Sequence, residues 1–351
     1  MIPVSLLLNA EYEPSELIQL GRLAEDLGYS HLWYTDIRLF RECFIGLAAL
    51  AANTSRIALG PGVTDPYSRH PAVTAATMAT LDELTHGRAI LGLGLGGTSF
   101  KELGITVSKP LTALREAVDV IRRLWRGEEV TLQGKTVSVR GGRLQFPPVR
   151  DRIPIYFATH GAQVTRLAGE IADGVLIANT MVPDAIDFYV AQAQEGAAKA
   201  QRGVDEVDVS IRPEVCIAEN EDAAVDVIRK RVAQRLLWTY PHWEYLERLN
   251  VDLPPEVEAI AKGSRSVDEA LPYVPKEALY GMGVAGDSEH VAAQIAAAIR
   301  PGVTSVTIRA YALPGGSITP IVRAFINDVM PMVERGLSGS LARTSSQTAA
   351  R

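Results

Sequence analysis

Two carboxylates stand where proton chemistry can be done. Asp36 closes a short apolar run at 31–34, and Glu214 sits inside another at 207–218. Carboxyl groups at strand ends can take or give a proton, although a strand-end aspartate also serves as a helix cap. A second cluster is Gly92-Leu-Gly94-Leu-Gly96-Gly97, where missing side chains let a neighbouring backbone or a flat ligand come close. Its spacing also satisfies the dinucleotide fingerprint G-x-G-x-x-G. That fingerprint closes the first βα unit of an open sheet, whereas this one follows the fourth strand-like run, so the context speaks against NAD. Pro61, Gly62, Val63 and Thr64 form a third group, within Gly60-Pro-Gly-Val-Thr-Asp-Pro-Tyr-Ser-Arg-His-Pro71. Thr159-His160-Gly161 opens a helix-like stretch, and Asn179 and Thr180 follow an apolar run that starts at Gly174-Val175. No P-loop, nucleophile elbow or metal-binding His/Glu helix occurs, and no metal is expected.

The elements that must position these residues alternate. Strand-like runs at 2–8, 31–34, 56–60, 88–94, 153–158, 174–178, 207–218 and 303–309 are separated by helix-like runs, the first at 15–27 with Leu17, Leu20, Leu23, Ala24 and Leu27 on one stripe and Gly28 placed as its C-terminal stop. Such alternation means parallel strands with helices packed outside, and eight units point to a (β/α)8 TIM barrel. In that fold reactive groups lie on the loops after the strands, and the candidates above fall there. Two stretches interrupt the alternation. Residues 127–149 have the alternation and glycine turn of a β-hairpin, and 238–287 is rich in proline and aromatics and reads as a cap with one or two short helices. Residues 1–337 therefore form one barrel domain with two insertions, and 338–351, rich in Ser, Thr and Ala, is expected to be disordered.

Composition narrows the partners. In 351 residues, 35 Lys and Arg against 41 Asp and Glu leave a net charge of −6, with no basic blocks, which argues against nucleic acid or an anionic membrane surface. No apolar run reaches the roughly 18–20 residues of a membrane span. The N-terminus reads as a first strand rather than a leader, and the two cysteines, Cys43 and Cys216, lie far apart in apolar settings, which suits a reducing cytoplasm. His70 is placed to contact a ligand or to cap the next helix. His242 lies among Trp238, Tyr240, Trp243 and Tyr245, an arrangement that favours packing over substrate contact.

Four stretches carry a resemblance: Leu32-Trp-Tyr-Thr-Asp36, the segment 60–71, the segment 79–94, and Ala168-Gly-Glu-Ile-Ala-Asp-Gly-Val175. Together they resemble the bacterial luciferase-like flavin/F420-dependent oxidoreductases, most closely the methylenetetrahydromethanopterin reductase branch, from residue 1 to about 335. The resemblance implies a luciferase-like barrel that binds coenzyme F420, with FMN as the competing cofactor. It implies a cis peptide at Gly62–Val63 behind the deazaflavin ring, with Pro61, Thr64, Gly94 and Gly96 nearby. It places Asp36 at the ring's reactive edge, the cofactor phosphate at Thr159, His160 and Gly161, and a further wall at Gly174, Val175 and Asn179. Many relatives have His after the aspartate. Here Ile37 follows, so proton transfer falls to Asp36, to Glu214 or to water.

The expected activity is hydride transfer between F420 and a carbon centre of a small organic substrate. The alternatives are an FMN- and O2-dependent monooxygenase and, in another class, a flavin-binding protein without turnover. Relatives are usually dimers or tetramers, so a homo-oligomer is expected.

Overall fold

The computed structural model describes residues 2–97 and 99–338. They divide into two units. The larger comprises Pro3–Ile177 and Tyr189–Ser210, and the smaller contains Ala178–Phe188 and the chain from Ile211 onward.

In the larger unit, β1 (Val4–Leu8), β2 (His31–Tyr34) and β3 (Ala58–Pro61) lie parallel side by side, with Leu6 opposite Leu32 and Trp33 opposite Gly60. β4 (Leu91–Leu93) continues the series through the bridges Leu59–Ala89 and Thr64–Leu93. After the antiparallel hairpin of β5 (Val130–Gln133) and β6 (Ser138–Gly142), β7 (Ile155–Thr159) pairs with β4, and β8 (Gly174–Ala178) pairs with β7, again in parallel. Parallel neighbours need crossovers, and helices supply them. The helix Pro14–Asp26 turns Leu17, Leu20 and Ala24 inward, and Gly28, at φ +81°, ends it. The helix Pro110–Trp125 buries eight residues, and its terminal Trp125 donates from Nε1 to the Ala75 carbonyl at 3.0 Å. Each fully buried Leu, Ile or Val contributes about 1.5–3 kcal/mol, so these stripes hold the helices against the strands.

The hairpin is latched by one side chain. The Glu116 carboxylate accepts the main-chain N–H groups of Lys135, Thr136 and Val137 and the Thr136 hydroxyl, at 2.6–3.0 Å.

β9 (Asp208–Arg212) is followed in the smaller unit by β10 (Glu214–Ile217), which lies parallel between β11 (Gly283–Gly286) and β12 (Ser305–Ala310), with Glu214 level with Gly283 and Arg309. The helices Glu221–Thr239 and Ser288–Ala298 start on side-chain caps, Asn220 accepting from Ala223 N and Asp287 from His290 N.

Two elements differ from the sequence expectation. The run 207–218 is two strands, because Pro213 interrupts it and has no N–H for a ladder. The stretch 238–287 returns to strand at Gly283, after a 3-10 segment (Glu244–Leu249) and the helices Pro255–Lys262, Val267–Ala270 and Lys276–Met282. The last helix begins at Thr319–Ala324, widens to a π segment at Phe325–Val329 and runs on over 330–338. Of the expected disordered tail, 339–351 lies outside the described residues. Among the described residues no helix is long and apolar enough to cross a membrane.

Candidate active site

In the larger unit the chain after β3 folds against the end of β4. The Gly62–Val63 peptide is cis, as the resemblance implied. A Cβ on Gly62 would lie 2.7 Å from Cβ of Trp33, so only glycine fits there. Gly92 and Gly94 clear the space that Val63 fills, and a Cβ on Gly96 would meet the Phe100 ring at 2.2 Å. The glycine cluster therefore serves close packing of the bulge on β4. Thr64 is fully buried beside the bulge, and its hydroxyl has no hydrogen-bond partner, nor has the Trp33 indole N–H. Buried polar atoms rarely stay unpaired, and the Thr64 hydroxyl, beside the bulge, can bond a bound group; the Trp33 ring packs on His31 and Tyr156.

Asp36 lies just past β2, partly buried. Arg38 lies beside it, with Nη1 donating to the Asp36 main-chain oxygen at 2.5 Å and Nη2 3.8 Å from its carboxylate. The same guanidinium forms an ion pair with Asp65, two residues beyond Val63. Burial lowers the Arg38 pKa, and the Asp36 carboxylate raises it. Cys43, nearby and donating to the Tyr34 carbonyl, is held as a thiol because burial pushes its pKa up. Arg38 and Asp65 escape the sequence patterns used above. The only signal is Asp65-Pro-Tyr-Ser68, the pattern of a turn in which the aspartate accepts N–H groups two and three residues on, as Asp65 does from Tyr67 and Ser68 at 2.7 Å each.

Thr159 ends β7, and the helix Ala162–Ile171 starts three residues later with Gly161 as an N-cap that has no side chain to satisfy it. The Thr159 hydroxyl takes the Gly161 N–H at 2.8 Å, and the Tyr189 hydroxyl donates to the His160 carbonyl at 2.7 Å. No acidic residue occupies the first turn. An uncapped ten-residue helix with that composition can hold an anion. Gly174 and Val175 are placed differently from their expected role. They begin β8, about 13 Å by strand rise from its other end, and the space where a Gly174 Cβ would be is taken by the Tyr156 ring. Their position is one of packing.

In the smaller unit Asn179, at φ +52°, follows β8 and donates from Nδ2 to Glu214 at 2.8 Å. Arg212 holds the same carboxylate at 3.1 Å and bonds the Asn179 side-chain oxygen, and Arg309 lies 3.8 Å from Glu214. Burial would raise the Glu214 pKa, but the Arg309 and Arg212 guanidinium groups overcome it and hold the carboxyl down at about 2. Glu214 is thus held as an ionised acceptor at neutral pH.

His70 caps the helix Pro71–Leu84, Nδ1 accepting from Ala72 N at 3.1 Å. His242 is 79% exposed and Trp238 is exposed too, while Tyr245 is buried and Trp243 packs on Tyr240 and donates to the Leu236 carbonyl, so part of the aromatic group serves packing. Arg69 is engaged by Glu42 and stacked on Phe44.

A glycine-packed bulge, an acid and an uncapped helix start, each at a strand's C-terminal end, define an α/β protein able to hold a flat, anionic cofactor. The chain belongs to the luciferase-like monooxygenase family, which it matches over residues 4–305. It is 36% identical to the 5,10-methylenetetrahydromethanopterin reductase of Methanolobus tindarius over 72% of this chain and 78% of that one. It is 33% identical to the enzyme of that name from Methanopyrus kandleri over 84% of this chain and 89% of that one. The structure of the coenzyme F420 dependent tetrahydromethanopterin reductase from Methanopyrus kandleri superposes with a TM-score of 0.83 at 30% identity, covering 94% and 99% of the two chains. The fold is accordingly the luciferase-like (β/α)8 barrel with insertions.

Proposed function

We propose that this chain is an F420-dependent oxidoreductase that moves a hydride between the cofactor and a carbon centre of a small organic substrate, as a methylenetetrahydromethanopterin reductase does. The likeness to enzymes of that name, extending over most of both chains, is the observation that carries it. The residues fit the group. The helix start at Gly161 suits its phosphate, and the bulge at 61–64, with the unpaired Thr64 hydroxyl, suits one face of a flat ring. When bound, F420 supplies a ring carbon that accepts or gives hydride and forms no oxygen adduct.

The chain's own residues do the rest. The main-chain N–H groups that open the helix Ala162–Ile171 bind negative charge. Pro61, Gly62, Val63 and Thr64 back the ring, and the Gly92, Gly94 and Gly96 strand end lets that bulge sit close. Asp36 holds or releases the proton that accompanies hydride transfer, since Ile37 cannot. Glu214, ionised, keeps Asn179 and Arg212 in place and serves as an acceptor.

We assign the protein a homo-oligomeric state. Leu39, Phe40, Ile45 and Val73 are exposed, and Ile45, 73% exposed, projects from Cys43–Ala51, a helix without a charged residue. A reducing cytoplasm suits Cys43 and Cys216, both buried and unbridged.

Titration of the apoprotein with F420 and with FMN, each oxidised and reduced, tests the reading. Tight F420 binding is expected, and FMN binding without F420 binding would overturn it. Asp36→Ala should keep the fold and lower turnover by about 10²–10⁴-fold, the usual worth of a placed acid or base.

A further inference from the structure

Arg38 joins three loops of the larger unit. Besides its contacts with Asp36, its Nε donates to the Ser68 hydroxyl at 3.0 Å, its guanidinium lies over the Phe100 ring at 5.3 Å, and its carbonyl accepts from the Ser99 hydroxyl at 2.9 Å. Its partner Asp65 is fully buried, and the Ser68 hydroxyl and two N–H groups also donate to that carboxylate. The other cations nearby are occupied, Arg69 by Glu42 and Arg41 by Glu13. Among the described residues, Arg38 is thus the cation found within ion-pair reach of Asp36. Asp65 follows Val63 and Thr64 directly, so a single side chain connects the acid after β2 to the bulge after β3.

We propose that Arg38 is a positioning residue for the reaction: through Asp65 it fixes Asp36 relative to the Gly62–Val63 bulge, so that proton and hydride are exchanged with the substrate in one geometry. This rests on the reading of Asp36 as the acid that handles the proton. A charged fork is required for it. Lysine keeps the charge but cannot bond Asp65, Ser68 and the Asp36 carbonyl together, and glutamine loses the charge as well.

The test compares Arg38→Gln, Arg38→Lys and Asp65→Asn with the parent, reading F420 affinity by fluorescence titration separately from kcat and KM. Arg38→Gln should lower kcat about 10–100-fold with F420 affinity within about threefold of the parent, the mark of a misplaced group rather than a lost binding site. Arg38→Lys should recover part of that loss, and Asp65→Asn should resemble Arg38→Gln. Adding Arg38→Gln to Asp36→Ala should cost nothing further, because the arginine acts through the aspartate. Parent-like kcat in Arg38→Gln, a parallel loss of kcat and F420 affinity, or additive losses in the double variant would each overturn the proposal. Full activity of Asp36→Ala with Arg38 intact would instead remove the reading of Asp36, a separate result.

Discussion

Val63 occupies the volume that a side chain on Gly94 would need: its Cγ2 stands 2.7 Å from where that Cβ would be, and its Cγ1 2.8 Å from a Cβ on Gly92. The two glycines are not equivalent. At residue 94 the nearest obstacle is a side-chain methyl, while at 92 it is the Pro61 carbonyl oxygen, at 2.1 Å. Gly94→Ala should therefore destabilise by about 1–3 kcal/mol, as overpacking does, and weaken F420 binding as the bulge shifts. Gly92→Ala should cost more, because backbone must move. Melting temperatures and F420 titration of the two variants give the ranking, and equal losses would contradict this geometry.

The helix start at Gly161 offers a charge test that spares the fold. A Cβ there would find its nearest neighbour, the Thr159 hydroxyl oxygen, at 3.5 Å, and the backbone is extended at φ −115°. Gly161→Asp should leave stability equal to or above the parent, since aspartate is a good cap. It should weaken F420 binding about three- to thirtyfold, the range for one charge at a helix terminus. Gly161→Asn, a neutral cap, should bind nearly as the parent does. Unchanged affinity in the aspartate variant would place the phosphate elsewhere.

Glu116 gives the hairpin a pH dependence. Burial would raise its pKa, but the Thr136 hydroxyl and three main-chain N–H groups bring it from 4.5 down to about 2. A carboxyl depressed in the fold contributes its full stabilisation above the unfolded value and loses it as pH falls through the folded one. The hairpin should stay latched at neutral pH and loosen between about pH 4.5 and 2. Glu116→Gln should loosen it at neutral pH and remove the pH dependence. Hydrogen exchange across 130–142 reads both effects.

Glu214 is expected to hold its own cluster together. Glu214→Gln leaves the Arg212 and Arg309 charges without their buried counterion and should cost about 3–5 kcal/mol. Calorimetry should show a markedly lower melting temperature. A variant as stable as the parent would mean that water reaches this cluster.

Much of this was legible in the chain because it depends on local pattern. The strand–helix alternation, the hairpin and the stop at Gly28 all follow from period and turn chemistry. The positions of Asp36 and Thr159–Gly161 after strands were legible from the alternation, and the cis Gly62–Val63 peptide was implied by the resemblance. β11 was not: Gly283-Val-Ala-Gly286 contains one β-branched residue and two glycines, and its strand character comes from pairing with β10. Pro213, flanked by the charged Arg212 and Glu214, did carry a visible signal of interruption within the longer apolar run. The Arg38–Asp65 pair joins residues 27 positions apart on two loops, where no periodicity operates. Glu214 was visible as a buried acid, but its ionised state depends on Arg309, which is remote in sequence. Gly174 looked like part of a binding wall because a motif contained it, and its neighbour Tyr156 reveals packing instead.

β4 presents the bulge with a surface almost without side chains, glycine alternating with leucine from Leu91 to Gly96. Evolution, or an engineer, can change very little there. Any added atom at 92, 94 or 96 collides with Pro61, Val63 or Phe100. Adaptation to a new substrate would have to be sought in segments with freedom to vary. Saturation libraries would then be spent to more effect on 99–109, where Ser99 and Phe100 already meet Arg38, with 92–96 held constant.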